Sequence, residues 1–362
     1  IALQAPDFWA WRTAVLDFTH APDLPAIAQA RLDMTQGLAQ PEKEARLAEI
    51  LAYLSAENHT TSPAAAALHR EAGEILESLG RWQEAVQHLQ AAEQHYRAAD
   101  DPHSAAHTLR LLAQIDEKRG RVDEALKCLE TQVLPLFQKL GDDRSSAITL
   151  GQIARIRAAK GEVDAALALH QEELKVYEGL GDKRSRAVTL GDIARIRAAK
   201  GEVDAALALH EERLGIFEGL GDKREWAVTL GDIARIRAAK GEVDAALALQ
   251  TERLEVNRSL GDQDGIAAAS FDLAQIEMQQ QDWQNAFGHL SESYAILLHL
   301  GRLDGICFVG LDLGQLLCAA GQREEGLAIL QRSLEGFQKL GRAQQVAQAE
   351  AILAHWAGQG EG

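Results

Sequence analysis

Aspartate, arginine and glutamine recur along this chain at 40-residue intervals and supply most of the polar chemistry it could perform. One column is Gln152, Asp192, Asp232, Asp272 and Asp312; a second, three residues further on, is Arg155, Arg195, Arg235, Gln275 and Gln315. Carboxylates beside guanidinium and amide groups can hydrogen-bond an extended ligand without forming or breaking a covalent bond. The i,i+3 spacing of Asp192 and Arg195 also permits a local ion pair, worth roughly 0.2–0.5 kcal/mol on a helix surface. Two readings follow: a ligand-binding ladder, or a solvated face of self-neutralising pairs. The change from arginine to Gln275 makes the two halves of the column electrostatically different.

A third column is His170, His210 and Gln250, at positions that hold Leu89, Leu129, Leu290 and Leu330 in other units. Such residues could form a ligand- or proton-sensitive element, or be half-buried and hydrogen-bonded to the next helix. A whole repeat separates the two histidines and no carboxylate–histidine cluster accompanies them, so no metal site is assigned. The segment HEERL at His210 lacks the second histidine of HExxH, and neither GxxxxGK[ST] nor GxSxG occurs. Cys128, Cys307 and Cys318 lie in apolar helical stretches with no CxxC spacing, which reads as reduced, buried thiols of a cytoplasmic protein. No catalytic residue, cofactor or metal is expected.

The elements that must position these columns follow from the repeat itself. The string AVTLGDIARIRAAKGEVDAALAL occupies 187–209 and returns unchanged at 227–249; a third copy at 147–169 differs only at Ile148 and Gln152. A 40-residue period implies stacked helix pairs, each unable to bury its apolar face alone. In the unit 183–220, Leu190, Ile193 and Ala194 recur at helical spacing, and Gly201 ends the first helix in the left-handed conformation that a β-carbon disfavours. A second helix opens with Glu202 and Asp204 near its positive end and carries the stripe Val203, Ala206, Leu207, His210, Leu214, Phe217. Asp222 then caps the next unit. The spacing predicts helix pairs at 63–98, 102–140, 142–180, 182–220, 222–260, 262–300 and 302–340, so that 62–341 holds seven repeats and 342–362 a capping helix and tail. Pro135, beside a one-residue insertion, predicts a kink. Residues 1–61 lack the repeat; helices near 8–18, 23–37 and 42–56 would form either an N-terminal cap or a junction with an upstream domain.

Composition narrows the partners. With 37 basic against 54 acidic residues the net charge is −17, which disfavours nucleic acid and anionic membrane surfaces. No apolar run approaches the roughly 18 residues of a membrane span. The chain starts at Ile1 rather than methionine, which reads as a fragment or a processed form.

The near-identical units differ mainly in two windows. Late in the second helix Glu173 becomes Arg213 and Arg253, Lys175 becomes Gly215 and Glu255, and Tyr177 becomes Phe217 and Asn257; at the following turn Ser146 becomes Arg186 and Trp226. Arg197, Lys200 and Glu202, expected at the surface, do not vary. Either the windows are a diversified recognition surface, with Trp226 its leading contact residue, or they mark where a copied tract ended.

The pattern small–x–x–Leu–x–x–Ile–Ala–x–Ile, then Gly–x–hydrophobic–Asp–x–Ala–Leu, resembles the tetratricopeptide repeat. Ala194, Gly201, Val203, Ala206 and Leu207 stand at that family's helix-A small, inter-helix glycine, aromatic, small and aliphatic positions. The unit is 40 residues rather than 34, and its aromatic positions are mostly aliphatic. The long variant ending ERLGIFEGLGDKR also looks like arrays attached to bacterial STAND signal-transduction NTPases and related conflict-system proteins. The resemblance implies an all-α, right-handed solenoid of antiparallel helix pairs that holds a protein or peptide ligand in a concave groove. It further implies ligand sensing for an upstream effector or NTPase domain; the alternative is a constitutive scaffold or oligomerisation array.

Overall fold

The computed structural model describes residues 43–45, 47–52, 54–55 and 63–358. The expected helices near 8–18 and 23–37 lie outside the described residues, and the described parts of 43–55 are helical. Two compact units divide at Leu220 and Gly221. The first holds α1 (Pro63–Ser78), α2 (Trp82–Ala98), α3 (Pro102–Lys118), α4 (Val122–Cys128), α5 (Leu134–Leu140), α6 (Asp143–Ala159), α7 (Val163–Gly179), α8 (Lys183–Ala199) and α9 (Val203–Leu220). The second holds α10 (Lys223–Ala239), α11 (Val243–Leu260), α12 (Gln263–Gln279), α13 (Trp283–Leu300), α14 (Leu303–Ala319), α15 (Arg323–Lys339) and α16 (Ala343–Gly358). Within each unit successive helices pack as pairs, and each pair packs on the next.

The punctuation is chemical. Gly161, Gly201 and Gly241 sit at φ 82° between the two helices of a pair, a conformation that costs a non-glycine residue of order 1 kcal/mol. Asp101, Asp142, Asp182, Asp222 and Asp262 cap the first helix of successive pairs, each accepting a hydrogen bond from the backbone N–H three residues on. Small residues let the helices approach: Ala154, Ala166, Ala194, Ala206, Ala234 and Ala246 are fully buried. The second helix closes on large anchors, Phe137, Phe217 and Phe337, whose complete burial contributes roughly 1.5–3 kcal/mol each.

Pro135 produces no simple kink. Leu129–Val133 forms one π-helical segment between α4 and α5. Elsewhere the buried positions of this helix run His170, Glu173, Tyr177 or His210, Arg213, Phe217; here they run Leu129, Val133, Phe137. The inserted residue therefore lies between the first two, and the wider π turn absorbs it so that Phe137 still faces the core.

Arg197, Lys200 and Glu202 have a structural reason not to vary. Arg197 Nη1 lies 2.5 Å from Glu202 Oε2, and Lys200 Nζ lies 3.0 Å from Asp164 of the preceding repeat. The copy before it repeats the arrangement, with Arg157 on Glu162 at 2.5 Å and Lys160 on Asp123 at 2.6 Å. These residues close the corner of each pair and tie it to its predecessor. Their constancy is therefore no measure of neutral drift at the surface.

Candidate functional site

The Asp and Arg/Gln columns meet both within and between repeats. Arg195 Nη1 lies 3.1 Å from Asp192 and Arg235 Nη2 2.9 Å from Asp232, the expected i,i+3 pairs. The second column also reaches forward: Arg155 to Asp192 at 3.8 Å, Arg235 to Asp272 at 4.0 Å, and Gln275 Nε2 donating to Asp312 at 2.7 Å. Gln315 instead donates to the Leu311 carbonyl. Gln152 and Asp192 are buried, while the Arg155, Arg195 and Arg235 side chains are 54%, 59% and 60% exposed. Burial pushes the Asp312 carboxyl up, partly offset by the Gln275 hydrogen bond. The ladder thus presents exposed guanidinium groups, each tethered by a carboxylate that uses only part of its five-donor capacity.

Several residues expected at a recognition surface lie inside. Tyr177, Phe217 and Asn257 are 4%, 0% and 3% exposed, and Arg213 and Arg253 are 3% and 7% exposed. The stripe of α9 consequently passes through Arg213 rather than Leu214. Room for the charged chain comes from a glycine on the partner helix. An added β-carbon would meet Glu173 Oε1 at 2.6 Å from Gly151, Arg213 Nη1 at 3.0 Å from Gly191, and Arg253 Nη1 at 2.7 Å from Gly231. In the next two pairs the glycine positions hold Phe271 and Leu311, and the charged positions hold Ser293 and Ser333, both buried. Ser293 there donates to the Ala267 carbonyl, and Ser333 faces Gly310, where an added β-carbon would lie 2.4 Å from its Oγ.

The buried charges are paired, as interior charges must be. Glu173 Oε2 lies 2.8 Å from His170 Nδ1; Arg253 Nη1 lies 2.6 Å from Asp272 and donates to Gln250 at 3.1 Å; the Arg213 guanidinium lies over the Phe217 ring at 5.4 Å. The His170, His210, Gln250 column is therefore fully buried rather than half-buried. His170 bonds within its own helix, whereas Gln250 reaches Asp272 of the next one at 3.4 Å. Arg186 spans two helices, with Nε 3.2 Å from Glu178 and Nη2 on Glu212. Trp226 is half-buried.

In the second unit, α10, α11 and α12 enclose a cleft of about 290 Å³ lined by Arg235, Ala238, Ala239, Gln250, Asp272, Gln275, Ile276 and Gln279. Four of these eight were singled out by column in the sequence as ladder or histidine-column positions: Arg235, Gln250, Asp272 and Gln275. Gln279 was not, although its position holds Ala159, Ala199, Ala239 and Ala319 in other repeats and the lone amide was there to be read. The lining joins a guanidinium, a carboxylate and three amides to a small apolar floor. It can donate to and accept from both sides of a peptide bond.

The tetratricopeptide repeat family matches residues 63–139 and 145–219, and the string at 187–209 inside that match returns unchanged at 227–249. The chain carries tetratricopeptide repeats. Solved structures of similar fold include aspartyl phosphate phosphatase F from Bacillus subtilis, at 11% identity, 93% of this chain, 85% of that one and a TM-score of 0.59. The Rap conjugation gene regulator of plasmid pLS20, in complex with the Phr* peptide, matches at 14% identity over 77% of this chain and 75% of that one, TM-score 0.52. A STAND protein with a tetratricopeptide repeat sensor from Pyrococcus horikoshii matches at 15% identity over 81% of this chain, TM-score 0.57; the alignment spans 47% of that longer protein. At these identities the likeness is one of fold. No curated protein sequence matches the chain. The tetratricopeptide repeats form an all-α solenoid of antiparallel helix pairs, and among the described residues no helix is long and apolar enough to cross a membrane.

Proposed function

We propose that this tetratricopeptide repeat chain is a protein- or peptide-binding module and that an extended peptide segment lies along the second unit's stretch of the Asp and Arg/Gln ladder, from Asp232 to Gln315. The observation that carries this reading is the cleft where the exposed Arg235 and Gln279 and the half-buried Asp272 and Gln275 flank Ala238, Ala239 and Ile276. A main chain presents one donor and one acceptor per residue, and this lining answers both. The pLS20 regulator, solved with a peptide, lends support through a shared fold. Arg235 and Gln275 serve as contacts, Asp232 and Asp312 position them, and Gln315 extends the strip. Residues 62–341 act as the seven-repeat array and Ala343–Gly358 as its terminal cap.

In this reading the array senses a ligand on behalf of an effector or NTPase domain in the same protein. The repeat-sensor architecture of the Pyrococcus horikoshii STAND protein supports that role. Selection of peptides from a random library against the full chain tests the proposal, with the selected binder titrated against Arg235→Ala and Gln275→Ala variants. Failure to select any binder counts against it, as does a binder indifferent to both substitutions.

A further inference from the structure

The junction between α3 and α6 differs from four later junctions of its kind. In later repeats an arginine reaches forward to the aspartate that caps the next pair: Arg144 to Asp182 at 2.6 Å and Arg224 to Asp262 at 2.9 Å. Two further junctions keep the bridge with its polarity reversed, Arg302 on Asp264 and Arg342 on Asp304, each at 2.9 Å. At the α3–α6 junction, allowing for the extra residue at 129–133, the cation's place is taken by His103. Its Nε2 lies 2.9 Å from Asp142 Oδ2. One turn on, His107 occupies the position of Ile148, Val188 and Val228. A clasp needs one cation, so the second imidazole is surplus to it. His103, His107 and Asp142 each bring a ligand atom within 4.8 Å of the others.

We propose that His103, His107 and Asp142 form a site for a divalent transition-metal ion of the zinc type, which fastens α3 to the start of α6. Two imidazole nitrogens and one carboxylate oxygen make a three-ligand set of the kind zinc accepts with a fourth position open; calcium and magnesium select oxygen donors instead. Histidines at i and i+4 lie one above the other on a helix face, so both rings can address one ion. Zinc about 2.1 Å from each donor sets them roughly 3.4 Å apart in a tetrahedron, a closure that rotation of the exposed His103 side chain supplies. The rest of the site is already held. Asp142 Oδ1 accepts from the Ser145 backbone N–H at 2.9 Å, which leaves Oδ2 toward His103. The Phe137 ring meets both imidazoles edge to face, with centroids 4.9 Å from His107 and 6.0 Å from His103.

Titration of Zn²⁺ into the metal-stripped full chain by calorimetry tests the site, with Co²⁺ as the spectroscopic probe. One ion per chain is expected, with the intense visible bands of four-coordinate cobalt. His103→Ala and His107→Ala should each weaken binding at least tenfold. His69→Ala, in the separate cluster with His88 and His95, should leave it unchanged. The conservative His107→Gln keeps the test informative if the alanine variants fold poorly: its melting temperature without metal should match the unmodified chain, and the rise on adding Zn²⁺ should vanish. Absence of saturable binding, full affinity in the His107 variants, or loss of binding in His69→Ala would overturn the proposal.

Discussion

At the residue scale the near-identical repeats are distinguished by what they bury. Gly231 and Arg253 share one space, and Phe271 and Ser293 stand at the equivalent positions of the next pair. The complementarity predicts a double-mutant cycle. Gly231→Phe alone overfills the site and should destabilise by about 1–3 kcal/mol. Arg253→Ser alone removes the buried guanidinium that bonds Asp272 at 2.6 Å and should cost about 1–3 kcal/mol. The two together recreate the neighbouring arrangement and should recover about 1 kcal/mol or more of the summed loss, as measured by urea denaturation. Strict additivity would contradict the shared volume. A second prediction concerns His69, whose Nδ1 lies 3.0 Å from His88 Nδ1 and whose ring stacks on His95 at 5.7 Å. Burial, then His88 and His95, lowers its pKa from 6.5 to about 4. Between those values the unfolded chain binds a proton that the folded chain does not, so stability present above pH 6.5 is lost progressively as pH falls toward 4. The urea midpoint should therefore drop between pH 6.5 and 5, and His69→Gln should flatten that slope. An unchanged slope would place the acid sensitivity elsewhere.

At the element scale the helices were legible because their stops are local. A glycine forced to positive φ and an aspartate three residues before a backbone N–H need no tertiary information, and the helix boundaries fall where those residues stand. The π segment was only half legible. Proline and an extra residue announced a disturbance, but its form depended on Phe137 keeping its place in the core, which only packing can dictate. Deleting Thr131, exposed within that segment, would restore the spacing of His170, Glu173 and Tyr177. Combined with Pro135→Ala, the deletion should preserve the helical circular dichroism and raise the melting temperature by a few degrees, about 1 kcal/mol of stability. A lower melting temperature would mean that the wider turn is needed by its neighbours rather than merely tolerated. The burial of the late-helix window was not legible, for a related reason. A charged residue at three successive equivalent positions, Glu173, Arg213 and Arg253, reads as surface until the facing glycine on another helix is counted.

At the scale of the whole molecule, repetition makes stability a sum of short-range terms, each pair supported by its neighbours. The constant parts of the sequence are the parts that stacking needs: the glycine turns, the aspartate caps and the Arg197–Glu202 and Lys200–Asp164 ties. The ladder was legible because equal spacing alone aligns equivalent side chains from repeat to repeat. Its cleft was not, since that requires the amide of Gln250 from α11 beside Gln279 from α12. The central claim is that this polar strip holds a peptide. Calorimetric titration of a selected peptide into the full chain and into an Arg235→Ala, Gln275→Ala variant tests it most directly. The account predicts at least a tenfold loss of affinity, about 1.4 kcal/mol or more, in a variant that still unfolds in one transition, its melting temperature lowered only by loss of the Gln275–Asp312 hydrogen bond. Equal affinities in a folded variant would contradict it.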